Sequence, residues 1–411
     1  MSDGMISPAI ERAAAALGAG PLTEAALVQH VFPLFSRVLA RDDIYVANHS
    51  LGRPLDQTRE DVAEAFDRWQ TRLDDAWEDW LGEREQFRQR IAQLIGAPRP
   101  DCIVPKTAAG QGLRTVLNAL PGKPHVLTTR GEFDAVDVIL KQYAHCGRAT
   151  VTWVEPDSDG QFSVAALMAL LETGSAAKVD LVVVAQVMFM TGQVVDGIDR
   201  LAAACHARGA RLLVDAYHSI GAMPVDVAAM GADFVIGASY KYLRGGPGAG
   251  FLYVSPHTLE SGLCPIDVGW FAKREMFQFE RADPPQLLPG GDGYLEGTPP
   301  VFTWYQARAG QQFVLALGVD RIRAYGLDRQ RRLKEYLQAA GVAATGGDEK
   351  HGAFLTMRHP QAMALAAAMK ALGVRADARG EYLRLCPDCL TTDAEMRRVA
   401  EVVGMAKIAV S

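Results

Sequence analysis

Residues 212–254 read LLVDAYHSIGAMPVDVAAMGADFVIGASYKYLRGGPGAGFLYV, and the placing of two charged side chains in this stretch decides the fold. The apolar run Leu212–Val214 stops at Asp215, and the run that starts at Phe234 stops at Tyr240-Lys241. Each charge therefore falls where a buried strand would leave an α/β sheet, the edge at which such sheets bind ligands. The segment between them contains MPVDVAAMGA, long enough for a short helix to cross back over the sheet and set the next strand beside the first. The two side chains then face one pocket.

An amine and a carboxylate so placed are what pyridoxal chemistry needs. The amine forms a Schiff base, and the carboxylate keeps the pyridine nitrogen protonated so that the ring accepts carbanion electrons. Taken singly, Asp215 reads as a helix cap and Lys241 as a solvated strand-end lysine. As a pair they read as a pyridoxal phosphate site.

DAYHSIG, then SYKYLRGGPGAG, then VGWF and EGTPP, in that order, resemble the aminotransferase class V group of fold type I enzymes, and within it kynureninase. The resemblance covers most of the chain from Tyr45 onward. It implies an α/β fold, a fold type I pyridoxal phosphate-dependent transferase with a large domain built on a mostly parallel central sheet flanked by helices, plus a smaller α+β C-terminal domain. It further implies that Lys241 carries pyridoxal 5′-phosphate, that Asp215 pairs with the pyridine nitrogen and that His218 lies near the ring or its phenolic oxygen. Tyr240 would contact the phosphate and pass a proton. In IVPKTAAGQGL, Thr107, Ala108 and Ala109 align with the family's phosphate-contacting positions. Small residues there let backbone N–H groups approach an anion at a helix start.

The same resemblance extends to residues farther from the lysine. Phe133 stands where the family stacks an aromatic ring on the cofactor, with a core phenylalanine as the alternative. Asp137 stands one residue beyond the expected place of a nearby family acid. Gln186 reads either as a contact to the cofactor's O3′ or the substrate, or as a solvated loop residue. Trp270 and Thr298 look like two further phosphate contacts, suitable as neutral donors. Core packing is the alternative for Trp270. The threonine would come across a dimer interface, which implies a homodimer with shared active sites. Arg384 corresponds to the arginine that holds the substrate α-carboxylate by two parallel hydrogen bonds. Arg379 is the second choice, and a surface ion pair is the alternative for both. Where kynureninases carry GNSLG this chain has NHSLG, which sets His49 in the place of an asparagine beside Ser50, close to the substrate.

A chain of 411 residues exceeds one core. The expected division is an N-terminal segment, 1–60, joining the small domain, a large cofactor-binding domain over 61–303 and a small domain over 304–411. One long helical pattern runs from Gln57 to Ile95. The net charge of −6 argues against nucleic acid and anionic membrane partners. The start of the chain lacks a signal-peptide pattern, and the longest apolar stretch, Leu181–Met190, is too short to span a bilayer. A cytoplasmic protein is expected. Six scattered cysteines fit a reducing compartment. Cys386 and Cys389 form the one close pair, without a second ligand pair that would suggest a metal. No cysteine lies in VRADARGEY, where a desulfurase would carry its nucleophile.

The expected activity is hydrolysis of the Cβ–Cγ bond of kynurenine or a related γ-carbonyl amino acid, giving alanine and an acid such as anthranilate. A C–S lyase and an aminotransferase are the alternatives that share this site. A binding protein that had kept only the fold would have lost Lys241 or Asp215, and both are present.

Overall fold

The computed structural model describes residues 6–172, 178–276, 278 and 281–410. Its centre is a sheet of seven strands: β1 (Ile103–Lys106), β2 (His125–Thr129), β3 (Thr150–Val154), β4 (Leu181–Ala185), β5 (Arg211–Asp215), β6 (Phe234–Ala238) and β7 (Gly250–Val254). They lie in the order β1-β7-β6-β5-β4-β2-β3. Neighbours from β6 through β3 run parallel, while β7 is antiparallel to both β6 and β1. Alternation of side chains explains why β4, β5 and β6 read as continuous apolar runs. Val182, Val184, Leu212, Val214 and Val235 enter the core on one face, and Leu181, Val183, Leu213, Phe234 and Ile236 enter the core on the other. The sheet is therefore buried on both sides, and charge is admitted at the strand ends.

The expected single helix over Gln57–Ile95 is two, α1 (Gln57–Arg72) and α2 (Ala76–Ile95). Leu73 breaks the run with a left-handed backbone at φ +50°, a conformation that a helix interior does not hold. After β1 the chain enters α3 (Ala109–Ala119), and after β2 it enters α4 (Asp134–His145). Beyond β7 comes α5 (Phe302–Leu317), which packs on α1 and α2. Trp304, Tyr305 and Phe313 on α5 share a core with Phe35, Trp80 and Tyr253. The boundary expected between 303 and 304 thus falls inside a helix whose apolar face belongs to the large core.

A separate core, containing Leu333, Leu355, Met369, Leu383 and Val399, starts within the next helix, Val319–Ala339. It is covered by a three-stranded antiparallel sheet: β8 (Leu355–Arg358), β9 (Asp377–Arg379) and β10 (Tyr382–Leu385), in the order β9-β10-β8. The N-terminal segment divides between the two cores. Ile10, Leu27 and Phe35 join the large one, and only the short stretch around Val46 joins the small one. The reason is local: Ile44–Tyr45 pairs with Val374–Arg375, and the Cys386 N–H donates to the Val46 carbonyl at 2.8 Å.

After that pairing the NHSLG turn docks on the lysine loop. The Gly52 N–H donates to the Tyr240 carbonyl at 2.8 Å, and the buried Asn48 amide donates to the Cys386 carbonyl at 3.0 Å. A Cβ at Gly52 would sit 1.9 Å from the Lys241 carbonyl oxygen and 3.2 Å from the Arg244 Cα. Both obstacles are backbone, so they yield only if the loop shifts. Gly52→Ala is expected to cost about 1–3 kcal/mol, read as a melting temperature lowered by several degrees together with weakened retention of the cofactor.

Candidate active site

Asp215 closes β5, and Lys241 follows β6 by three residues, so parallel neighbours deliver both to the same edge of the sheet. Lys241 is buried, with Nζ 2.7 Å from His218 Nε2. Three rings surround the amine: the centroids of Phe133, Tyr217 and Tyr240 lie 5.6, 5.5 and 5.6 Å from Nζ. Phe133 caps α4 and meets Phe189 edge-on at 5.3 Å. The amine lies over its ring.

Burial drives the electrostatics. Loss of water lowers the Lys241 amine to about 7, with Asp215 opposing the shift and Arg384 adding to it. Burial raises Asp215, while the Tyr217 N–H, 2.8 Å from its Oδ1, and Lys241 pull it back. His218 is pushed well below its usual value by burial and by the nearby Lys241 and Arg384 charges, so it is neutral at pH 7. Tyr240 is raised to about 12, first by burial and then by Asp215, and stays protonated.

Glu132, which the sequence reading passed over, lies on the turn after β2. Its Oε1 accepts from Thr129 Oγ1 at 2.7 Å and from the Ala185 N–H at 3.2 Å. Burial raises it to about 8, and Asp215 contributes to the same shift. The signal was available: the residue stands directly before Phe133.

The other candidates divide into three groups. Ala109 opens α3 with Ala108 as its cap, and Thr107 donates through N and Oγ1 to Gln111 Oε1 at 2.7 and 3.0 Å. The helix start is thus formed from small residues, as expected. Gln186 is buried beside Asp215, its N–H bonding the Asp215 carbonyl at 2.9 Å. It is not a solvated loop residue. His49 and Arg384 are buried together near the lysine, and both meet Asp377. Arg379 is half-exposed and pairs with the other oxygen of Asp377. Ser50 sits in the docked turn. Trp270 and Thr298 are exposed; Trp270 packs on Phe271, and Thr298 lines a cleft with Lys106, Thr107 and Gln111. Asp137 pairs along α4 with Lys141 at 2.6 Å, away from Lys241. The Cys386 and Cys389 thiols are buried and pushed up by that burial, which makes them unreactive.

The aminotransferase class V family model matches residues 75–375. The chain belongs to the aminotransferase class V family. An uncharacterized aminotransferase, YcbU, of Bacillus subtilis is 29% identical over 81% of this chain and 86% of its own length. A kynureninase of Xanthomonas campestris is 26% identical over 93% of this chain and 94% of its own. Among solved structures, a mutant of the cystine C–S lyase C-DES, with glycine covalently linked to its PLP cofactor, superposes with a TM-score of 0.81 at 18% identity, covering 90% of this chain and 98% of that one. That likeness establishes the fold type I architecture. Class V aminotransferases depend on pyridoxal 5′-phosphate, and this is the cofactor of the chain.

The residues present fit that group. Gln186 Oε1, a buried polar atom beside Asp215, has no hydrogen-bond partner among the described residues. Such atoms are costly unless a ligand satisfies them. Lys241 offers an amine whose proton burial loosens, Asp215 a carboxylate and the start of α3 a set of N–H donors. Only the unprotonated amine attacks an aldehyde, and its fraction rises with pH through about 7. Cofactor uptake by the apoprotein, followed by absorbance, is therefore expected to accelerate between pH 6 and 8 and then level off. An ordinary lysine would keep accelerating beyond pH 9. Lys241→Ala should bind the cofactor without a covalent link, so that it dialyses away.

Proposed function

We propose that the chain is a kynureninase-like hydrolase that cleaves the Cβ–Cγ bond of kynurenine or a related γ-carbonyl amino acid, releasing alanine and an acid such as anthranilate. The observation that carries this reading is the hydrogen-bonded pair Lys241–His218 beside Tyr240, in a chain that a kynureninase matches over 93% of its length at 26% identity. Bound at Lys241, pyridoxal phosphate supplies the electron sink that lets bonds at Cα and Cβ break.

The protein's own groups do the rest. Asp215 would hold the pyridine nitrogen protonated, and Phe133 would cover the ring. Lys241 Nζ, its amine lowered by burial, takes the α-proton, and neutral His218 Nε2 at 2.7 Å steadies the resulting ammonium. Tyr240, protonated and half-buried, returns a proton through its hydroxyl after the carbon–carbon bond has broken. Arg384 receives the α-carboxylate, with His49 and Ser50 near the substrate. Thr107, Ala108 and Ala109 hold the phosphate at the helix start. Trp270 and Thr298 complete the cradle in a homodimer, a reading supported by their exposure in the single chain.

A cytoplasmic setting is supported by six free thiols, four of them buried. Among the described residues, no helix is long and apolar enough to cross a membrane.

A β-eliminating C–S lyase or a transaminase would use the same lysine and aspartate, and product analysis separates them. Cofactor-loaded protein given L-kynurenine should yield anthranilate and alanine in equal amounts by mass spectrometry. Pyruvate from a cysteine conjugate, or a keto acid with the cofactor left as its amine form, would replace this reading by one of the other two.

A further inference from the structure

The hairpin β9–β10 turns at Gly380, whose φ is +54°, and its register sets Asp377 directly opposite Arg384. Opposed side chains on one face of an antiparallel pair touch, and opposite charges attract there. The Arg384 Nη2 donates to Asp377 Oδ2, while Nη1 donates to the Phe189 carbonyl at 2.5 Å. Nε is buried and has no partner among the described residues. Asp377 Oδ1 meanwhile accepts from Arg379 Nη1 at 3.1 Å. The His49 ring, tilted against Phe354 with centroids 4.8 Å apart, brings Nε2 to 3.4 Å from Asp377 Oδ2, long for a hydrogen bond. Burial lowers the His49 imidazole to about 4 despite the carboxylate, so the ring carries no charge at neutral pH.

The charge balance of this cluster is incomplete. Two guanidiniums share one carboxylate, which leaves it one negative charge short, and the deficit lies at Arg384, the more buried of the two arginines. A second carboxylate would close the deficit. Both edges of a guanidinium that offer two parallel N–H groups include Nη2, the nitrogen that Asp377 holds. An incoming carboxylate that grips Nε and Nη2 competes with Asp377 for Nη2, and repulsion between the two carboxylates drives Asp377 off that nitrogen. Asp377 then remains with Arg379, its present partner on the solvent side. At no stage is a buried charge left bare, the condition that makes exchange inside a protein inexpensive.

We propose that Asp377 is a specificity-determining residue: it holds Arg384 as an internal stand-in for a carboxylate and is displaced toward Arg379 by the α-carboxylate of the substrate, so that the site selects amino acids over their decarboxylated amines. This rests on the reading that Arg384 receives the substrate carboxylate. Asp377 touches Arg384 and not the reacting atoms, so its effect falls on binding.

The test uses cofactor-loaded enzyme titrated with L-alanine and with ethylamine, which lacks the carboxylate, following the cofactor absorbance. Neither titration depends on kynurenine turnover. In Asp377→Asn, L-alanine should bind about tenfold more tightly, equivalent to about 1.4 kcal/mol, with ethylamine unchanged. In Arg379→Ala, a half-exposed change suited to a case where the asparagine variant misfolds, Asp377 loses its alternative partner and L-alanine should bind several-fold more weakly. Unchanged L-alanine binding in either folded variant, or weaker binding in Asp377→Asn, overturns the proposal. Arg384→Gln separates the two levels. If it weakens L-alanine while Asp377→Asn changes nothing, the displacement is wrong and the carboxylate reading stands. If Arg384→Gln also leaves L-alanine binding intact, both fall.

Discussion

A lysine amine removed from water is the constraint around which this molecule is arranged. An isolated ammonium in an apolar interior is costly, and the protein lowers that cost by letting the amine lose its proton readily. His218 can accept a hydrogen bond from the amine because it is itself neutral, and it is neutral because the same burial and the same lysine disfavour its charge. The three rings around Nζ keep it in apolar surroundings. Asp215 reaches the same edge of the sheet because β5 and β6 are parallel neighbours.

The parts of the site formed within one strand and its following turn were legible in the sequence. Asp215, His218, Tyr240 and Lys241 lie beside uninterrupted apolar runs, and the start of α3 declares itself by its small residues. Phe133 was placed by resemblance alone, and the centroid of its ring lies 5.6 Å from the amine. The contacts that escaped reading depend on register or tertiary approach. Asp377 looks like one charge among several in VRADARGEY until the turn at Gly380 sets it opposite Arg384. Glu132 reads as an ordinary turn acid until the Ala185 N–H folds onto it from another strand.

Domain limits were hidden for a related reason. The amphipathic pattern of α5 announces a helix but not which core its apolar face will join. Trp304 and Phe313 settle that only through packing against α1 and α2. The break at Leu73 was equally silent, since the residue itself favours helices and only its backbone angle ends the run.

Cys386-Pro387-Asp388-Cys389 draws the eye to its thiols, but the aspartate holds the structure together. Its carboxylate is shared by Arg53, just past the docked NHSLG turn, and by Arg244, three residues beyond the lysine, with the Arg244 Nη2 to Oδ2 distance at 2.5 Å. Three distant segments meet at one buried charge. Swinging the small domain away as a rigid lid would strip two guanidiniums of their counterion at once, a loss of several kcal/mol. The domain is pinned at the mouth of the lysine loop. Opening the cleft at a hinge would therefore begin with the loss of both of these ion pairs.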